Sequence, residues 1–231
     1  MKNFGEGSSK INCINFGQID YRAALEVQRK LREQVIRNGG GWFLACEHKP
    51  VITYGRLAKK ENLLVSETHL KNLKIQLEET NRGGDFTYHG PGMLMGYFIV
   101  DLRLLKLDCV SFLRELEEII ILTLANFFVE AFRVQNYTGV WCKEEGRLKK
   151  ICSIGIHVSK GVTNHGFCLN VERKPPDGLS MINPCGLPRT DYVFMDELVT
   201  SSDVKTALFP AVEKAVTDEV KAWYCNLVER E

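Results

Sequence analysis

Cys185 is the residue whose type and neighbours best suit covalent chemistry. It sits in Asn183-Pro184-Cys185-Gly186, a turn sequence, whereas Cys46, Cys152 and Cys168 sit in apolar, strand-like runs. A thiol on a turn can be reached by a ligand. Its thiolate is the nucleophile, and nearby positive charge lowers the ordinary thiol pKa of about 8.5. Lys149 and Lys150 precede Ile151 at the expected start of a strand. A lysine there is ordinarily a solvated edge residue, but a partly desolvated lysine can act as the base for a thiol. His89 and His165 are each followed by glycine, which lets a ligand approach the main chain closely. A lone histidine is more often structural than catalytic. Cysteine and histidine together suggest acyl transfer through a thioester, without choosing the acyl group.

The stretch from Arg82 to Leu102 gathers most of the remaining candidates. Four of its first eleven residues are glycine, and between the glycine pairs lies Phe86-Thr87-Tyr88-His89, aromatic and β-prone. Gly90-Pro91-Gly92 forces a turn, and Met93 to Leu102 is almost unbroken apolar sequence, the mark of a buried strand. An arginine, a histidine and exposed backbone N–H groups are thus held against a rigid sheet, as binding loops commonly are. A glycine-rich turn with no ligand is the plain alternative. Neither GxxxxGK[ST] nor GxGxxG spacing occurs, so the stretch is no phosphate loop.

The elements that would carry these residues follow from periodicity. A first strand covers about Ile11 to Phe16, and Asp20 caps a helix to about Arg37 with Leu25, Leu31 and Val35 on one side. Trp42–Glu47 and Val51–Tyr54 read as strands, Glu67 to Leu73 as a short helix, and Ile75 to Glu79 as a weak strand. The longest helix runs from about Ser111 to Phe128, with Phe112, Leu116, Ile119, Ile120 and Phe127 inward and Arg114, Glu115, Glu117 and Glu118 outward. Tyr137–Lys143 and Lys150–Lys160 form a hairpin about Glu144-Glu145-Gly146, and Val162–Val171 follows. Ser202 caps a short turn, and Pro210 opens a last helix to about Trp223. No repeat or linker divides residues 1–231, so one α+β domain with a central mixed β-sheet flanked by helices is expected.

Bulk properties narrow the function class. With 30 basic and 29 acidic side chains the net charge is +1, which gives no support for nucleic-acid binding. No apolar run reaches the roughly 18 residues that span a membrane. The N-terminus has no apolar signal core and no arginine before Arg22. The eight cysteines contain no CxxC pair and mostly sit in apolar runs, as core residues of a reducing compartment do. The setting expected is therefore cytoplasmic, with neither a disulfide framework nor a structural metal.

Six segments in order resemble the lipoyl(octanoyl) transferases. They are Glu47 to Arg56, Arg82 to Gly92, Tyr137 to Trp141, Lys150 to Gly155, His165 to Val171 and Ile182 to Gly186. The resemblance implies the α/β catalytic fold shared with biotin and lipoate ligases. It puts the acyl-thioester cysteine at Cys185 and the lysine that activates it at Lys150. The acyl-binding residues it implies are Arg82, Gly83, Gly84, Asp85, Phe86, Thr87, Tyr88, His89, Ser153, Ile154, Gly155, His165, Gly166, Phe167 and Cys168, with Arg82 and His89 expected at the tunnel mouth. His157 stands where the family usually has arginine. Phe167 and Cys168 replace a Leu-Ala pair and bear on the fit of the acyl chain. The loop Glu172 to Ser180 also departs from the family pattern and bears on partner contacts.

The activity so implied carries an octanoyl group from octanoyl-acyl carrier protein to a lysine of lipoyl domains, those of 2-oxoacid dehydrogenases and the glycine cleavage H protein. It is that of a monomer needing no cofactor, metal or nucleotide, because the thioester already stores the activation. The alternatives are an ATP-dependent lipoate-protein ligase, which would not need Cys185, and a non-catalytic acyl-binding protein of the same fold.

Overall fold

Every residue of β6 (Met93–Val100) is buried, which is why this segment reads as continuous apolar sequence rather than as alternation. The computed structural model, which describes residues 10–183 and 192–228, sets this strand third in a seven-stranded sheet. The order is β1 (Asn12–Ile19), β2 (Gly41–His48), β6, β10 (Val162–Asn170), β9 (Arg147–Ser159), β8 (Tyr137–Glu144) and β7 (Ala131–Val134). β1 runs parallel to β2 and the other neighbours are antiparallel, so the expected mixed sheet is present. A separate three-stranded sheet, β4 (Gln76–Glu79), β3 (Val51–Tyr54) and β5 (Phe86–His89), carries the glycine-rich stretch.

Alternation along the central strands divides the interior into two cores. On β2, Phe43 and Ala45 face one core and Leu44 and Cys46 the other; on β6, Leu94 and Phe98 oppose Met95 and Tyr97. The first core is closed by α3 (Cys109–Ala125) and α6 (Leu208–Val228). Their Phe112, Leu116 and Ile120, and Val212, Val216 and Val220, recur at helical spacing. The second core is closed by α1 (Tyr21–Asn38), whose N-terminal amides of Arg22 and Ala23 are capped by Asp20. The deepest residues of α1 are Tyr21, Ala24, Gln28 and Val35, with Leu25 and Leu31 only half-buried. α2 (Glu67–Asn72), α4 (Met195–Leu198) and α5 (Ser202–Thr206) are short, and among the described residues no helix is long and apolar enough to cross a membrane.

Three boundaries differ from expectation. The cap of α5 is Ser201 rather than Ser202, and α6 begins at Leu208, two residues before Pro210. β9 begins at Arg147, so Lys150 is interior to the strand and 6% exposed rather than a solvated edge residue. The hairpin turn is only Glu145-Gly146, both at positive φ, and such a two-residue turn lets pairing start at once on either side.

Phe167 faces Gly96 across the β10–β6 ladder, and a Cβ built on Gly96 would lie 2.1 Å from the Phe167 ring. Gly96→Ala is therefore expected to cost about 1–3 kcal/mol by overpacking. Phe167→Leu in the same chain should recover part of that loss. Urea denaturation of the parent, both single variants and the double variant checks the coupling; strictly additive effects would show that ring and strand do not compete for space.

Candidate active site

A cavity of about 370 Å³ lies where β5 and the loop before it meet β9 and β10. Of the residues singled out in the sequence, Arg82 through Thr87, His89, Lys150, Ser153 through Gly155 and His165 through Cys168 all line it. Tyr88 does not. It alternates away from its strand neighbours, and its hydroxyl donates to the Pro176 carbonyl at 2.8 Å. Its ring packs over Gly178, leaving no room for a side chain there.

Arg82 and His89 are 7% and 8% exposed, so they form an interior wall rather than the mouth. A buried guanidinium needs acceptors for its donors. Arg82 donates to the Thr53 carbonyl at 2.9 Å, to the Thr53 hydroxyl at 2.9 and 3.3 Å, and to the Gly83 carbonyl at 2.9 Å. The Thr53 hydroxyl, which accepts from Arg82, is also paired with His89 Nε2 at 3.1 Å. The His89 ring stacks on Tyr21 with centroids 6.0 Å apart. Burial, and then the neighbouring His48, Arg82 and His165, hold its pKa well below the usual histidine value.

His165 occupies the left-handed region at φ +62°, uncommon for a residue other than glycine. Two contacts hold it: its N–H donates to Gln28 Oε1 at 2.9 Å, and its Nε2 is paired with Asn81 Oδ1 at 2.8 Å. Burial, followed by the charge of Arg82, brings its pKa down to about 3. Gln28, polar on the buried face of α1, is thus a positioning residue whose only signal in the sequence is that polarity. Thr53 gave no signal.

Cys185 lies outside the described residues. The chain on both sides of it is tied down beside the cavity. Asp85 accepts from the Lys59 N–H at 3.2 Å and from the Asn62 side-chain amide, and Asn62 in turn accepts the Asn183 N–H on its carbonyl at 2.8 Å. On the other side, Tyr192 bridges to Lys150, and the Val193 N–H donates to the Lys150 carbonyl at 3.2 Å. Lys150 Nζ lies 4.7 Å from the centroid of Trp141, its cross-strand partner. Lys149, one residue earlier, points the other way and pairs with Glu144.

Burial disfavours the thiolate of Cys168, which lines the cavity, and of Cys152, in the core on the other face of the sheet. It raises the Cys152 thiol well above its ordinary range and pushes Cys168 up to about 12. A further departure from the sequence reading is Glu117, expected on the outer face of α3 and found with its side chain fully buried.

Residues 20–212 match the family described as lipoyl protein ligase A/B catalytic domain. The octanoyltransferase of Acidobacterium capsulatum is 40% identical over 213 residues, covering 87% of this chain and 83% of that protein. The octanoyltransferase of Solibacter usitatus is 45% identical over 183 residues, covering 77% and 80%. Among solved structures, lipoate-protein ligase A bound with ATP superposes with a TM-score of 0.64 at 16% identity, over 95% of this chain and 94% of that one. A structure of the bipartite lipoate protein ligase system of Thermoplasma acidophilum gives 0.61 at 17% identity, over 95% and 92%. At such identities the structural likeness shows the fold alone.

The neutral histidines predict an acid-sensitive fold. His48, His89 and His165 all have pKa values lowered chiefly by burial. Below about pH 6.5 the unfolded chain takes up protons that the folded chain does not, so stability falls as pH drops, for His165 down to about pH 3. Each histidine contributes at most about 1.4 kcal/mol per pH unit in that window. The urea midpoint should fall between pH 7.5 and 5, and His165→Asn, which tolerates positive φ, should flatten the slope. A slope unchanged by that substitution would show that His165 accepts its proton in the folded state.

Proposed function

The chain belongs to the family of lipoyl protein ligase A/B catalytic domains, with octanoyltransferases as its relatives, and we propose that it moves an octanoyl group from octanoyl-acyl carrier protein to a lipoyl-domain lysine through a thioester on Cys185. The observation that carries this reading is the lining of one cavity. A buried lysine, Lys150, opens onto a space walled largely by apolar and glycine residues, and the segment bearing Cys185 is tied at Asn183 to the turn that Asp85 holds and at Tyr192 to Lys150 itself.

In this mechanism Lys150 accepts the Cys185 proton. The thiolate attacks the octanoyl carbonyl, the C–S bond to the pantetheine thiol breaks, and that thiol leaves with a proton. The octanoyl chain then occupies the cavity as a thioester of Cys185, against Ile154, Gly155, Gly166 and Phe167. An acceptor lysine amine attacks the same carbonyl, the Cys185 sulfur is released, and Lys150 passes the proton. Backbone N–H groups near Cys185 or the glycines hold the oxyanion. The free energy of the thioester drives both halves, so no nucleotide is consumed. In this reading the enzyme is a cytoplasmic monomer whose acceptors are the lipoyl domains of 2-oxoacid dehydrogenases and the glycine cleavage H protein.

Intact-mass analysis after mixing the protein with octanoyl-acyl carrier protein, without ATP, tests the reading. One octanoyl adduct is expected, mapping to Cys185 and absent in Cys185→Ser, because a hydroxyl is far less nucleophilic at neutral pH. An adduct that requires ATP would instead support a ligase, and no adduct under either condition would support a non-catalytic binding protein. Lys150→Ala should slow acylation by about 10² to 10⁴, with partial recovery at higher pH where hydroxide ionises the thiol. Normal acylation by either variant would sink the assignment of that residue.

A further inference from the structure

We infer that Glu117 is a positioning residue for Lys150, acting through the main chain of Gly139. This rests on the reading of Lys150 as the base for Cys185.

The inference starts from a fault in the sheet. Pairing of β8 with β7 slips between Phe132 and Val134, and pairing of β8 with β9 slips between Val140 and Trp141. β8 thus changes register against β7 between Tyr137 and Trp141 and against β9 between Val140 and Trp141, irregularities of the kind that re-aim side chains beside active sites. A backbone N–H freed in this way must find another acceptor if it is buried. That of Gly139 finds Glu117 Oε1 of α3, at 3.0 Å.

Glu117 is itself an unusual residue to bury. Its side chain has no exposed surface, and a lone charge there would be costly. Its Oε2 takes Arg114 at 2.5 Å and Arg133 at 3.1 Å, two arginines with side chains 46% and 36% exposed. The two oxygens thus divide their work: one anchors the carboxylate to α3 and β7, and the other holds the irregular segment of β8.

The consequence reaches Lys150. Gly139 has φ +117°, and a Cβ there would lie 2.5 Å from the Cys152 carbonyl oxygen and 3.4 Å from Lys150 Cε. The aliphatic stem of Lys150 therefore lies against the bare backbone of Gly139, while its ammonium end lies over Trp141, two residues further along β8. Thr138 and Lys150 both line the cavity. If the Gly139 N–H loses its acceptor, the surface under the lysine stem moves, and the amine moves with it.

Two substitutions separate this role from simple support of the fold. Glu117→Gln gives up the ion pairs and keeps one oxygen, which serves the Gly139 N–H once the half-exposed Arg114 and Arg133 turn to water. Glu117→Met keeps the volume, gives up both, and leaves Arg114 and Arg133 free to turn to water. The first readout is competitive labelling of Lys150 with trace acetic anhydride across pH, followed by peptide mass spectrometry. Glu117→Met is expected to shift the Lys150 profile away from the parent's and to lower kcat about 10- to 100-fold, with KM for the acyl donor little changed, as for a misplaced catalytic group. Glu117→Gln should retain the parental profile.

A folded Glu117→Met protein with parental Lys150 labelling and parental kcat would overturn the inference. So would a Gln variant as altered as the Met variant, which would assign the effect to the lost ion pairs. Should Glu117→Met fail to fold, Gly139→Ala crowds the same lysine without touching α3, and an unshifted Lys150 profile there overturns the inference as well. Failure of the base assignment reads separately. Lys150→Ala that leaves the pH profile of Cys185 alkylation unchanged removes Lys150 from the reaction, whereas the labelling of Lys150 in the Glu117 variants reports its position whether or not it reacts.

Discussion

The site depends on a buried guanidinium. Arg82 lies between the small sheet and the large one, where a charged group is tolerated only if its donors are met. They are met by the carbonyl and hydroxyl of Thr53 on β3 and by the carbonyl of its own neighbour Gly83. That set of bonds fastens the glycine loop to the small sheet, while the Gly83 N–H, donated to the Ile156 carbonyl at 3.0 Å, fastens it to β9. Gly55 belongs to the same junction. A side chain on it would come within 2.5 to 3.0 Å of the carbonyl oxygens of Gly84, Arg82 and Gly83. The glycine loop is thereby tied to both sheets beside the cavity, while Ile52, Phe86 and Tyr88 of the small sheet pack in the second core with Leu44 and Met95 of the large one.

Once the loop is held, the electrostatics of the cavity follow from burial. Its wall carries Arg82, His89 and His165, yet both histidines are kept neutral at physiological pH, first by burial and then by the neighbouring positive charges, Arg82 among them. Tyr97 and Cys168, also in the wall, are kept protonated by burial, against the opposing influence of the Arg82 charge. Such a wall suits an uncharged aliphatic chain. Lys150 enters the same cavity from β9, its amine over the Trp141 ring and its stem against the backbone of Gly139.

Much of this arrangement was legible along the chain. The Asp20 cap, the buried strand after Gly92 and the hairpin through Glu145-Gly146 are local: each follows from turn chemistry or periodicity within a few residues. Errors arose where a local rule met a non-local demand. A strand beginning at Lys150 is what the sequence predicts, but the two-residue turn adds three paired residues before it and places Lys150 inside the strand. Tyr88 is held away from the cavity by Pro176, a partner 88 residues away that no local rule reveals. Glu117 looked like Glu115 and Glu118, and nothing in a helical repeat distinguishes the glutamate that meets a slipped strand. The four-residue β7 was not anticipated, being too short to show a period.

The sequence by itself determined which residues could react and which segments would be strands, helices and turns, because side-chain chemistry and local backbone preference are properties of a residue and its near neighbours. It also determined the family, through six ordered motifs that all lie within the matched region. Only the tertiary structure decided that the Arg82 loop, β9 and β10 enclose one cavity, that Arg82 and His89 are wall rather than mouth, and that Glu117 holds Gly139 under Lys150. These depend on the register and packing of segments distant in sequence. A one-residue slip in a strand reverses every side chain on it, and a strand's pattern fixes its register only when it meets the partner strand, the turn and the core.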